Sequence, residues 1–121
     1  MIINDDEIWN KVIELEGKEL LTYVEKERNI IIRVDNKHKN SDQVYIADRE
    51  TYPIREDIIA AYKLFIIQGR LNRKIDLQWL SRPDKMVSSI VFRIVGEISK
   101  NHSRIDCSKS EPELVHIRKF L

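Results

Sequence analysis

A single cysteine, Cys107, stands in a chain of 121 residues, which excludes an internal disulfide and any zinc site built on paired cysteines. Three Gly and three Pro are too few for a turn-dense β-sandwich. The glycines, Gly17, Gly69 and Gly96, are isolated, and none lies in a GxGxxG or GxxxxGK pattern. Folds that cradle phosphates on such loops to hydrolyse nucleotides are therefore excluded. The longest apolar runs, such as Leu64 to Ile67, are far too short to span a bilayer. The opening Met-Ile-Ile-Asn-Asp-Asp-Glu lacks the basic and apolar regions of a secretory signal, so the chain is expected in the cytoplasm.

Catalytic constellations are missing as well. His38, His102 and His116 are scattered, with no HExxH and no Cys-x-x-Cys companion. The trio His102, Cys107 and His116 has the chemistry for zinc but no strong ligand spacing, and it reads as surface histidines beside an idle thiol. Asp5, Asp6 and Glu7, like Glu56 and Asp57, open helices, where the helix dipole already accounts for them. The chain reads as non-enzymatic, with no cofactor and no metal.

Net charge is nearly absent too: 21 Lys+Arg stand against 20 Asp+Glu. The balance hides an asymmetry. Residues 1–61 hold nine basic and 14 acidic side chains, and residues 62–121 hold 12 basic and six acidic. A basic half raises the local potential where phosphates would sit, although a duplex binder ordinarily carries a clear cationic excess overall.

What is present is a sequence of amphipathic segments. Asn4 caps a helix with Glu7 at capping-box spacing; Ile8, Trp9, Val12, Ile13 and Leu15 form its apolar stripe, and Gly17 ends it. Leu20–Val24 and Asn29–Val34 read as two antiparallel strands. Val44–Ile46 reads as a third, Tyr52 with Ile54 as a fourth, and the polar stretch 36–41 as a mobile loop. A second helix covers Glu56–Gln68, stopped by Gly69. It is apolar nearly all round, which predicts cover on several sides and hence a second copy of the chain. A short helix follows over Ile75–Leu80, broken by Ser81-Arg82-Pro83-Asp84. The last helix runs from Lys85 to Ser99 with Val87, Ile90, Val91, Ile94, Val95 and Ile98 in one stripe. Phe92 lies beside that stripe among Ser88, Ser89, Gly96 and Ser99.

These elements make an α+β class: an N-terminal helix, a small antiparallel sheet of three or four strands, then a helical part of three helices. A single domain over 1–121 is expected. It divides into helix plus sheet at 1–54, the helical part at 55–100, and a polar tail at 101–121 whose Leu114–Ile117 reads as a short edge strand or a partner-docking segment.

Basic residues interleave with aromatics in the second half: Arg70, Arg73, Lys74, Trp79, Arg82, Lys85, Phe92 and Arg93. Arginine forks hold phosphate and aromatic rings stack on bases, so this set suits a small nucleotide. The alternative is a DNA-binding accessory or regulatory module of a restriction or phage system. It would use the 75–99 helix pair as a helix-turn-helix, with Ser88, Ser89, Phe92 and Arg93 facing the groove. A third reading is an adaptor that docks through the apolar second helix and binds no nucleotide.

The order of pieces carries two resemblances. A Trp-bearing first helix ends in Glu16-Gly17-Lys18 and a small sheet follows; Pro53-Ile54-Arg55-Glu56-Asp57-Ile58 opens a helix with Ala60-Ala61-Tyr62, and Ser88-Ser89-Ile90-Val91 lies in the last helix. Over residues 8–98 this resembles the phage-encoded Thoeris anti-defence sponge family. The resemblance implies a homodimer or higher oligomer in the bacterial cytoplasm that sequesters a cyclic ADP-ribose signal made by TIR-domain enzymes and so blocks Thoeris immunity. It also implies an aromatic for the adenine and arginines for the pyrophosphate. Phe92, Asn101, Arg118 and Arg55 are the candidates, joined by Arg70, Arg73 and Arg82 from the basic half. The chain also resembles small modules that accompany restriction nucleases and helicases, with Arg55 where those modules usually carry Ser or Lys.

Overall fold

A computed structural model describes residues 4–21, 31–33, 43–44, 53–80, 85–106, 108 and 111–117. The first helix, α1 (Asp5–Ile13), starts where expected: the Asn4 side chain accepts the Glu7 N–H at 2.8 Å, and Asp5, Asp6 and Glu7 occupy the positive end of the dipole. Ile8, Trp9 and Val12 are buried, with Leu15 in the turn that follows. Gly17 closes that turn at φ 79°.

The strands β1 (Glu19–Leu21) and β2 (Ile31–Arg33) pair antiparallel, with Leu20 opposite Ile32. The expected third and fourth strands are represented among the described residues by one bridge, Gln43 opposite Ile54. The remainder of those strands and the loop at 36–41 lie outside the described residues.

Helix α2 (Arg55–Gln68) buries Ile58, Ile59, Ala61, Tyr62 and Phe65. Gly69, at φ 75°, ends it, and its N–H bonds the Phe65 carbonyl at 2.9 Å. The helix is covered from several sides, by α1, by the strands β3 (Arg70–Asn72) and β5 (Glu113–His116), and by α4 (Lys85–Ile98). Cover that the sequence assigned to a second copy thus comes largely from the same chain. Ile67, 79% exposed, and Ala60 stay outside. Along α4, Val87, Ile90, Val91, Ile94 and Val95 form the buried stripe as read from the sequence.

Two expectations for the second half are corrected. The short helix α3 is Arg73–Asp76, not Ile75–Leu80. Asn72 fixes its start by accepting the N–H groups of Lys74 and Ile75, while Asp76 accepts the Asn72 N–H at 2.7 Å. Leu77 and Leu80 are buried, but beyond the helix, in the turn.

The polar tail, in turn, supplies two of the three strands of a sheet. Strand β4 (Ser103–Asp106) and β5 pair antiparallel, and β3 pairs on the other side of β5, giving the order β3-β5-β4. The segment expected at an edge is the central strand. The reason is alternation: Leu71, Leu114 and Ile105 stand opposite one another in one row, and that apolar row has a core to face. The architecture is α+β: an N-terminal helix and a two-stranded antiparallel pair, then three helices interleaved with a small antiparallel three-stranded sheet that ends the described chain. No helix among the described residues is long and apolar enough to cross a membrane.

Candidate functional site

The central position of β5 gives the sheet two chemically different faces. On the inner face His116 meets Phe65 of α2 edge-on, with ring centres 5.7 Å apart. His102, at the end of the turn after α4, lies 5.3 Å from His116 with the rings at 82°. Its Nε2 is 3.2 Å from the Tyr62 hydroxyl. Backbone pairing holds this arrangement: the Ile117 N–H bonds the His102 carbonyl, and the His116 N–H bonds the Gly69 carbonyl, each at 2.8 Å.

Two side chains 14 positions apart, read from sequence as separate surface histidines, are therefore neighbours. His102 is harder to protonate than an ordinary imidazole, chiefly because it is partly buried and further because His116 and Lys11 are close. Burial pushes the Tyr62 phenol up from its usual value. Nδ1 of His116 is buried and has no hydrogen-bond partner among the described residues. Cys107 lies outside the described residues, and among those residues no group of three or more His, Cys, Asp or Glu side chains is placed to hold a metal.

The outer face carries charge. Register puts Arg70, Val115 and Arg104 in one row across the three strands, and Asn72, Glu113 and Asp106 in the next row on that face. Arg70 and Arg104 are exposed. They rise from strands roughly 10 Å apart, two strand spacings, within converging reach of their long side chains. Arg70 lies 3.8 Å from the Glu113 carboxylate, whereas Arg104 has no ion pair among the described residues. Asn72 and Asp106 are engaged locally, Asn72 at the start of α3 and Asp106 with the Ser108 N–H and hydroxyl.

The other side chains singled out from sequence are placed elsewhere. Phe92 is 3% exposed within the core cluster; the position beside the stripe is an interior one, so its ring is not presented to a ligand. Arg55 lies over the Trp9 ring at 5.6 Å and ion-pairs with Asp6 at 3.0 Å, tying α2 to α1. Arg73 is held by Glu111 at 2.7 Å and donates to Ser88 at 3.4 Å. Asn101 is exposed in the turn that leads to β4. Arg82 and Arg118 lie outside the described residues.

Of the expected ligand set, the described chain thus leaves Arg70 and Asn101 accessible and engages Arg55 and Arg73 in the fold. The groove-facing set is likewise interior: Ser88, Ser89 and Phe92 are buried, and Arg93 donates to the Leu21 carbonyl at 2.7 Å. Arg104 and Tyr62 were not legible as site residues. The alternation in Arg104-Ile105-Asp106, polar then apolar then polar, was the available signal. Compared with known proteins, the chain matches no family model, no curated protein and no solved structure.

Proposed function

We propose that the chain is a non-enzymatic binding protein that captures a small phosphate-bearing nucleotide on the outer face of its C-terminal sheet. The observation that carries this reading is the row Arg70, Val115, Arg104, two exposed guanidinium groups on one face with an apolar side chain between them. A guanidinium fork suits phosphate oxygens, and Arg104 has no carboxylate among the described residues to displace first. The resemblance to the Thoeris sponges narrows the ligand class to cyclic ADP-ribose isomers, with capture rather than turnover as the outcome. Self-association keeps Ile67 and the half-buried Leu64 and Ile66 as its support on α2.

Calorimetry with cyclic ADP-ribose isomers, AMP and a DNA duplex tests the reading. Saturable heat with a nucleotide is expected, weakened at least tenfold by Arg104→Ala and by Arg70→Ala, with the ligand recovered chemically unchanged. Binding to the duplex that falls steeply with salt, without heat from any nucleotide, would overturn it.

A further inference from the structure

The ring cluster on the inner face of the sheet has a use independent of any ligand on the outer face. Tyr62 and Phe65 project from α2 three residues apart; His116 comes from β5, which packs on that helix, and His102 from the turn that leads into β4. Their contacts run in series, Tyr62 to His102, His102 to His116, and His116 to Phe65. One side of this set is helix, and the other is β5 with the turn that enters β4, the two tied by the Ile117 N–H on the His102 carbonyl. We propose that it is an acid-sensitive latch that holds β4 and β5 against α2.

Several elements bring groups to His102. From α1 comes Lys11, a cation; from β5, the His116 imidazole; from α2, the Tyr62 phenol. On its own segment, Lys100 is drawn toward Glu97, 3.6 Å away. The groups whose charge acts on His102 are His116 and Lys11, and both oppose a proton there. A proton added at His102 therefore lands in a partly buried place beside basic groups. Moving β4 and β5 off α2 returns the imidazole to water, where it protonates with an ordinary value of about 6.5.

The sign follows from proton counting. Below about pH 6.5 the open form binds a proton that the closed form does not, so opening is favoured progressively as pH falls. The effect levels off once the closed form is protonated too. Helix α4 and α1 meet each other and α2 through Ile90, Ile94, Ile8 and Val12, and that packing contains no group in this equilibrium. Opening is thus local, a release of the sheet with the helical core retained.

Amide hydrogen exchange of the full chain, followed by mass spectrometry between pH 7.5 and 5 and corrected for intrinsic exchange, reads the latch directly. Protection of 103–106 and 113–116 should fall on acidification by up to tenfold per pH unit, the limit for one proton, while protection of α4 stays level. His102→Gln keeps a polar partner for Tyr62 but cannot ionise, and should make the sheet's protection independent of pH. Lys11→Gln, on a half-exposed side chain outside the contact series, lets the closed form take up its proton more readily, so it should shrink the acid loss and make it level off sooner, and it serves if the glutamine variant does not fold. Sheet protection in the wild type that is flat down to pH 5 would overturn the proposal. So would an equal acid loss in His102→Gln, or an acid loss that Lys11→Gln leaves undiminished.

Discussion

Arg73 and Glu111, 38 positions apart, are joined at one carboxylate oxygen: Nε donates to Oε1 at 2.9 Å and Nη2 lies 2.7 Å from the same atom. Arg73 is only 12% exposed at the side chain, so this fork is a clamp between the start of α3 and the approach to β5. Removing it with Arg73→Met should cost about 2 kcal/mol, because a largely buried charge-assisted pair loses one partner. Urea denaturation should record that loss. The nucleotide affinity of the folded variant should stay within about twofold of wild type, since the guanidinium is already occupied.

Phe92→Ala separates a ligand contact from a core contact. The buried ring leaves a cavity in the cluster that includes Val91, Ile94 and Val95, and a loss of about 3 to 5 kcal/mol is expected. The midpoint of denaturation should fall accordingly. A variant that unfolds at the wild-type midpoint but no longer binds nucleotide would contradict the placement.

Tyr62 gives the alkaline counterpart of the acid latch. Its phenol is harder to ionise in the folded chain than in the unfolded one because it is buried, so the unfolded state loses its proton first as pH rises. Stability is intact below about pH 10 and declines above it. Phenolate absorbance should show one tyrosine ionising together with unfolding, and Tyr62→Phe should remove that component. The same substitution at neutral pH should cost about 1 kcal/mol for the hydrogen bond to His102.

Gly69→Ala tests the hinge between α2 and β3. At φ 75° an added Cβ meets nothing within 4 Å, so the penalty is conformational alone, about 1 kcal/mol. Thermal denaturation should show a correspondingly small decrease, with the sheet register unchanged.

How much of this was legible in the sequence depended on the range of the interaction. Asn4 with Glu7, Gly17, Gly69 and the stripe of α4 are local signals, and the structure has them where they were read. Leu114, by contrast, reads as part of a short apolar run at the end of a polar tail. Its place in the middle of the sheet is decided by Leu71, 43 positions earlier, a pairing that no local pattern encodes. The same limit affected the site. Phe92 departs from the ideal stripe by angle, yet the interior of α4 is wide enough to take it, and Ser88 and Ser89 as well. Arg55 and Arg73 carry a charge suited to phosphate, but Asp6 and Glu111 sit within reach only after folding. Arg70 and Arg104 become a pair only because β5 lies between their strands.

The strand order β3-β5-β4 also sets a sequence of events. The middle strand is synthesised after both of its neighbours, so β3 and β4 have no partner in this sheet until residues 113–116 exist. Within the sheet the β4–β5 pair is local, with Asp106 opposite Glu113, whereas β3 joins through Leu71 opposite Leu114, 43 positions later, so docking of that pair on β3 is the sheet's non-local step. Until that step β3 offers open backbone edges on both sides, and its docking sets how long that strand is exposed to aggregation.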